Sequence, residues 1–246
     1  MNLNKKVALV TGASSGIGEA TAIALAKEGC SVIINYRSDT KFAQKVLDMC
    51  NKFSNGNIML KADIADEKEV ECMFEIIKDK FSSLHVLVNN AGIFDSTDSP
   101  TNTKSFDNVF KNNFFGHISV TKYALSILKQ GKIINISSIH GRLGYGRPTA
   151  IAYSASKAAL ESYTKNLAKQ LAPKILVNAV APGRVATPLW GKKNSKQLKD
   201  LGKAHLIKRM ILPEEIADSI IFLVKNDAVC GEILTVDGGY LLEQLY

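Results

Sequence analysis

Short runs of β-branched and other apolar residues alternate along the chain with longer segments whose apolar positions recur every three or four residues. The runs Val7–Val10, Ser31–Tyr36, Asn57–Leu60, Val86–Asn89, Lys132–Ser137, Leu176–Ala181 and Ile233–Val236 are predicted as strands. The segments Gly16–Glu28, Lys41–Phe53, Glu67–Phe81, Ser105–Leu128, Ile151–Leu171 and Pro213–Lys225 are predicted as helices. In Ile151–Leu171 the stripe is carried by Ala155, Ala159, Leu160, Tyr163 and Leu167. Strands this apolar must be covered on both faces, and a helix between successive strands supplies the cover. The pattern predicts an α/β fold, a parallel sheet of about seven strands flanked by helices on both faces, with right-handed crossovers.

Nothing in the pattern divides the chain, so residues 1–246 read as a single domain. Pro100 and the polar stretch Asp95–Thr103 read as a loop, and the one long irregular segment, Pro182–Ile211, reads as a lid. A chain with 46% apolar and 22% charged residues is not a disordered or low-complexity one. No apolar run approaches the roughly eighteen residues that cross a bilayer. Val7–Val10 is too short for a signal-peptide core, so the expected location is the cytoplasm. Cys30, Cys50, Cys72 and Cys230 have no metal-ligand spacing and read as reduced thiols, mostly packed, and the four histidines form no helical metal pair. No metal site is expected.

The net charge of +8 is uneven. Between Trp190 and Met210, Lys192, Lys193, Lys196, Lys199, Lys203, Lys208 and Arg209 face only Asp200, so most of the excess lies in the lid.

The first strand runs into Thr11-Gly12-Ala13-Ser14-Ser15-Gly16-Ile17-Gly18, which opens a helix. This is the physics of a dinucleotide site. Gly12 permits a tight turn, Gly16 allows backbone to approach a pyrophosphate, and Gly18 allows close packing of helix on strand. The helix N-terminus offers unpaired N–H groups and partial positive charge to phosphate.

With its G-x-x-x-G-x-G spacing, this chain resembles the classical short-chain dehydrogenase/reductase family from end to end. The motifs are Thr11–Gly18, Asn89-Asn90-Ala91-Gly92, Ser138 with Tyr153-x-x-x-Lys157, Pro182-Gly183 with Thr187, and Asp237-Gly238-Gly239. The resemblance implies a Rossmann-type doubly wound sheet and an NAD(P)-dependent oxidoreductase. It implies nucleotide contacts from Gly12, Ser14, Ser15, Gly16, Ile17, Gly18, Asp63, Asn89, Ala91, Gly92, Pro182, Gly183, Val185 and Thr187. Asp63 reads equally as a turn cap, and Asn90 as a structural sheet contact.

NADP(H) is favoured over NAD(H). Tyr36 takes the slot where an acidic residue would clasp the ribose hydroxyls, and Arg37 follows it, so a 2′-phosphate would meet a guanidinium. Asp39, two residues on, is the rival, because it could still reach the ribose.

Tyr153 and Lys157, four apart on a predicted helix, face the same way. A free phenol, with pKa near 10, is a poor base, and a neighbouring ammonium is expected to lower that value. In the family, the tyrosine exchanges a proton with the substrate oxygen, the lysine also binds the nicotinamide ribose, and a serine donates to the same oxygen. Here those are Tyr153, Lys157 and Ser138, with Asn113 resembling the helix asparagine of the proton relay. Their neighbours Ser137 and Asn112 are the alternatives, and position after the strand and before Gly116 selects Ser138 and Asn113.

The resemblance points first to a 3-oxoacyl-(acyl-carrier-protein) reductase, then to a pteridine, sugar or xenobiotic carbonyl reductase or alcohol dehydrogenase. A non-catalytic dinucleotide sensor stands further off, since Ser138, Tyr153 and Lys157 are all present. Ile93, Phe94, Ile139, His140, Tyr145 and Trp190 are pocket candidates. The basic lid is either a solvated segment or an attractor for an anionic substrate, such as a carrier-bound acyl thioester. It matches no nucleic-acid motif. A homotetramer is implied, built through the helices bearing Asn113 and Tyr153 and the C-terminal strand, with the apolar tail Tyr240–Tyr246 available to an interface.

Overall fold

The strands β1 Val7–Val10, β2 Ser31–Tyr36, β3 Ile58–Lys61, β4 Val86–Asn89, β5 Gly131–Ile136, β6 Ile175–Pro182 and β7 Ile233–Val236 form one sheet. Its order is β3-β2-β1-β4-β5-β6-β7 and every neighbouring pair is parallel. The computed structural model describes residues 1–142, 148–190 and 195–243. Successive side chains of a strand enter opposite layers. Ala8 and Val10 join Leu25 of helix α1 (Gly16–Lys27), Val46 of α2 (Thr40–Cys50) and Ile220 of α8 (Pro213–Lys225). Leu9 joins Phe74 of α3 (Glu67–Lys80), Val120 of α5 (Gly116–Ala124) and Leu167 of α6 (Ile151–Leu171) on the other face. Each fully buried Leu, Ile or Phe contributes about 1.5–3 kcal/mol, so two apolar layers hold the sheet between them.

The chain leaves β1 in one direction through β2 and β3 and returns to β4 on the other side. The carboxyl ends of β1 and β4 therefore part, and a crevice opens there. Helix starts follow local chemistry. Asp39 caps α2 through Phe42 N, Asp66 caps α3 through Lys68 N, and Pro213 begins α8 with Glu215 reaching back to Leu212 N.

Three expectations need correction. The helix Ser105–Leu128 is three pieces: α4 (Thr103–Phe110), a π-helical turn (Lys111–Phe115) and α5 ending at Ala124. Asn102 accepts from Ser105 N and starts α4 early, while Ser126 N and Ile127 N turn back to Tyr123 O and Ala124 O and close α5 early. The lid is not wholly irregular, since it holds a 3-10 turn (Pro188–Trp190) and α7 (Ser195–Gly202), whose apolar positions are too few to announce it. A short α9 (Tyr240–Glu243) follows β7. Cys30 and Cys50 are buried, with burial pushing their thiols up to about 12, but Cys72 and Cys230 are exposed. No described helix is long and apolar enough to cross a membrane.

Candidate active site

At the crevice, Gly12 and Gly16 adopt left-handed backbone, with φ of +60° and +58°. A side chain on Gly12 would stand 2.8 Å from Ala91 Cα, and one on Gly18 would stand 2.5 Å from Asn90 Nδ2 and 2.9 Å from Ala13 Cα. Gly18 thus lies under the loop, where it lets α1 close on β1. Ser15 begins α1 without a side-chain cap, so the first N–H groups of the helix lack that partner and face the cleft. This is the fit expected for a pyrophosphate.

Three polar side chains hold this cradle: Asn35, which the sequence did not single out, Thr11 of the motif, and Asn90, expected as a structural contact. Asn35, buried in β2, accepts from Gly12 N at 3.3 Å and donates to Ala62 O at 3.0 Å. Thr11 Oγ1 accepts from Asn90 N at 2.9 Å and Ala91 N at 3.1 Å, and Asn90 Nδ2 donates to Thr11 O at 2.8 Å and Gly12 O at 3.2 Å. Only the end of its apolar run signalled Asn35.

A cleft of about 820 Å³ runs from this loop to the lid. Gly12, Ser14, Ser15, Gly16, Ile17, Arg37, Asp63, Ala91, Gly92, Ser138, Tyr153, Lys157, Pro182, Gly183, Val185 and Thr187 all line it. Gly18, Asn89 and Asn113 do not, for separable reasons. Asn89 is fully buried, and its Nδ2 donates to Asn135 Oδ1 and Thr121 Oγ1, both at 3.0 Å, so its side chain faces the protein interior and Asn90 lines the cleft instead. Asn113 sits directly behind the wall. Its Oδ1 accepts from Ile93 N at 2.8 Å and its Nδ2 donates to Ile93 O at 2.9 Å. Asn112 lines the cleft, but its side-chain amide turns back on Asn108, while Asn113 braces the wall from behind. Asp63 lines the cleft, and its Oδ1 accepts from Ala65 N at 2.9 Å, as a turn cap does.

The end of β5 separates the two serines. Both line the cleft, but Ser137 Oγ donates to Glu161 Oε1 at 3.0 Å, whereas Ser138 Oγ accepts from His140 N at 3.2 Å and hydrogen-bonds the Tyr153 phenol. Tyr153 is half-buried. Burial raises its pKa above the usual phenol value, and the Ser138 bond pulls the other way. The direction is thus the reverse of the lowering expected from Lys157, and the one lowering influence is Ser138. Lys157 is only 4% exposed, and burial brings its ammonium down to about 8. Its Nζ donates to Ile136 O at 2.7 Å and lies 5.8 Å from the centroid of the Tyr153 ring. Behind it, one turn past Asn113, the fully buried His117 bonds Ala91 O through Nε2 at 2.6 Å. Burial and the Lys157 charge hold that imidazole neutral, with a pKa of about 3.

The lid leaves and rejoins the body at one bridge, Val185 to Ile211, where Ala186 N donates to Ile211 O at 2.9 Å and Ile211 N to Arg184 O at 3.1 Å. Val185 O accepts from Thr187 N at 2.9 Å and Trp190 Nε1 at 2.7 Å. Of the basic residues there, Arg209 forks onto Glu215 at 2.7 and 2.6 Å, Lys203 pairs with Asp200 at 2.7 Å, and Lys196 and Lys199 are exposed on α7. Tyr145, Lys192, Lys193 and residues 244–246 of the tail lie outside the described residues.

The family model described as Enoyl-(Acyl carrier protein) reductase matches residues 12–241. A 3-oxoacyl-[acyl-carrier-protein] reductase of Synechocystis sp. is 38% identical over 98% of both chains. The chain is a short-chain dehydrogenase/reductase. Other members of the family match it nearly as well. Glucose 1-dehydrogenase 2 of Bacillus subtilis is 34% identical over 98% of this chain and 96% of its own. The crystal structure of a dehydrogenase/reductase from Sinorhizobium meliloti superposes with a TM-score of 0.89 at 32% identity, over 97% of each chain. This short-chain dehydrogenase/reductase is accordingly an NAD(P)-dependent oxidoreductase with the doubly wound, single-layer parallel sheet of that family.

Proposed function

We propose that this enzyme interconverts a carbonyl and a secondary alcohol with NADP(H), and that its substrate is a 3-oxoacyl thioester carried by an acyl-carrier protein. The observation that carries the chemistry is the meeting of Ser138, Tyr153 and Lys157 on one wall of the cleft. When bound, the dinucleotide supplies the hydride for the carbonyl carbon. Tyr153 gives its phenolic proton to the carbonyl oxygen, and Ser138 donates a hydrogen bond to that oxygen as negative charge develops on it. The Lys157 ammonium then favours the phenolate left behind, and Asn113 fixes the Ile93 segment beside it.

The nucleotide would be held by Gly12, Ser14, Ser15, Gly16, Ile17, Asp63, Ala91 and Gly92, by Lys157, and by Pro182, Gly183, Val185 and Thr187. Two observations favour the phosphorylated form. Arg37 lines the cleft, as its rival Asp39 does, but one oxygen of the Asp39 carboxylate is engaged as the cap of α2, accepting from Phe42 N at 3.1 Å. The acyl-carrier reading rests on the exposed Lys196 and Lys199 of the lid together with the named relatives. A homotetramer belongs to the same reading. It is favoured by the aromatic ladder Phe106, Phe110, Phe114 and Phe115 on the helices expected at the interface, with Phe115 exposed. A second reading, reduction of a sugar or another small carbonyl, is favoured by the glucose dehydrogenase relative.

The test is NADPH oxidation with acetoacetyl-CoA, run beside NADH and a panel of neutral ketones and sugars, with Tyr153→Phe as control. Thioester turnover with NADPH, lost in the variant, is expected. Turnover of neutral carbonyls alone would discard the acyl substrate and keep the site chemistry. Dinucleotide binding without turnover of any member would leave a sensor.

A further inference from the structure

Helix α6 brings Tyr153 to the cleft only three residues after its own cap position, yet that position is Ala150, which has no side chain able to cap. The first N–H groups of such a helix need acceptors from elsewhere. They find them in the loop between β4 and α4. Asp98, 9% exposed, accepts from Ala152 N through Oδ1 and from Tyr153 N through Oδ2, both at 3.2 Å. A carboxylate at the positive end of a helix is also favoured electrostatically.

The same loop touches Tyr153 a second time, where Phe94 meets its ring edge-on, with centroids 6.0 Å apart and planes at 64°. One end of this loop is fixed by Asn113, which bonds both polar backbone groups of Ile93. Within the loop, Asp95 Oδ1 accepts from Thr97 N and Thr97 Oγ1, and Asn102 donates to Thr97 O, so its shape is held by its own side chains. Tyr153 is therefore gripped at backbone and ring by one braced segment.

We propose that Asp98 is a positioning residue for Tyr153: by capping α6 from the loop between β4 and α4 it sets the depth at which the phenol meets Ser138 and the substrate oxygen. The inference rests on the reading of Tyr153 as the proton donor. It deepens that reading, because the segment Asp95–Thr103, which looked like an unremarkable polar loop, becomes part of the machinery. Removing the cap frees the first turn of α6 to tilt, and the phenol moves with it. An ångström of misplacement at a reacting group is enough to cost orders of magnitude in rate.

The experiment compares Asp98→Asn, which keeps one acceptor oxygen, with Asp98→Ala, which keeps none, in the full chain. The readouts are kcat, the KM for NADPH, and amide hydrogen exchange in residues 150–157. Expected are a fall in kcat of about tenfold for Asn and about a hundredfold for Ala, a KM for NADPH within about twofold of wild type, and faster exchange at Ala152 and Tyr153. A merely structural cap would slow neither variant once the folded fraction is counted, so wild-type kcat in Asp98→Ala overturns the proposal. A rise in NADPH KM matching the loss of kcat overturns it too, because the effect would then lie in the nucleotide cradle. If the wild type turns over no carbonyl, the functional reading fails by itself. Exchange then judges the clamp alone, and unchanged protection in Asp98→Ala removes it.

Discussion

Replacing Gly18 with alanine puts a methyl group where the structure has no room. The added carbon would lie 2.5 Å from Asn90 Nδ2 and 2.9 Å from Ala13 Cα, and would press on the Gly12 carbonyl oxygen. Asn90 is the softest of these neighbours, since it is the only side chain. Swinging it aside breaks its bonds to Thr11 O and Gly12 O, each contributing about 0.5–1.5 kcal/mol. The two backbone atoms yield only by strain, at about 1–3 kcal/mol. Alanine recovers at most about 1 kcal/mol through its better helix propensity. The net cost is about 1–5 kcal/mol, centred near 3, or a fall in Tm of roughly 6–12 °C at the 2–4 °C per kcal/mol typical of this chain length. The same shift disturbs the nucleotide cradle, so NADPH affinity should weaken at least about tenfold. Thermal unfolding followed by circular dichroism reads the first effect. A titration followed by the fluorescence of Trp190, the sole tryptophan and a cleft residue, reads the second. A Tm within about 2 °C of wild type with unchanged affinity would refute the reasoning. Combining Gly18→Ala with Asn90→Ala identifies the atom that moves: if it is Asn90, the two costs fall short of additive by more than about 0.5 kcal/mol.

Arg37→Gln removes the guanidinium proposed to meet the 2′-phosphate. Its kcat/KM with NADPH should fall by about 10–100-fold, the range of a charge-assisted hydrogen bond, while the value with NADH changes less than about threefold; equal losses for the two would contradict the assignment. Glu215 is held at about 2, first by its hydrogen bond from Arg209 and then by Leu212 N–H. Its folded pKa lies below the unfolded value near 4.3, so the stability it adds is present above that pH and is lost as pH falls from there toward 2. Melting curves of wild type and Glu215→Gln should therefore differ at pH 7 and converge as pH falls from about 4 toward 2, and a gap unchanged across that window would place the effect elsewhere.

The sheet was legible because the five inner strands are buried on both faces, which leaves near-continuous apolar runs, and the half-buried edge strands β3 and β7 are still rich in apolar residues. Val7–Val10, Ser31–Tyr36, Val86–Asn89 and Ile233–Val236 have the expected ends. Where ends moved, as at Ile58–Lys61 and Gly131–Ile136, the shift is one residue, set by pairing register that side-chain pattern does not encode. The π turn was not legible, because Lys111–Phe115 differs from an α-helical segment only in its hydrogen-bond step. The cleft residues followed from motif spacing, and those that do not line it, Gly18, Asn89 and Asn113, are the ones whose side of the wall depends on three-dimensional packing. Asp98, Asn35 and His117 escaped notice for a related reason. Each acts through backbone groups far along the chain, and a contact of that kind leaves no local periodicity.

The bridge between Val185 and Ile211 brings the two mouths of the lid to adjacent points on the body. The later part of the lid is anchored as well, since His205 Nε2 accepts from Arg184 N at 3.2 Å and Ile207 N donates to Gly238 O at 3.3 Å, so lengthening is cheapest ahead of Leu201, with each doubling of loop length adding only about 0.6 kcal/mol of closure entropy. Substrate recognition can then drift, shrink or be exchanged wholesale as a cassette while the sheet, the nucleotide cradle and the proton-transfer wall keep their places. Relatives named for acyl and for sugar substrates are what that architecture permits. It also marks the stretch from 186 to 200 as the one to transplant when a new carbonyl is wanted from the same chemistry.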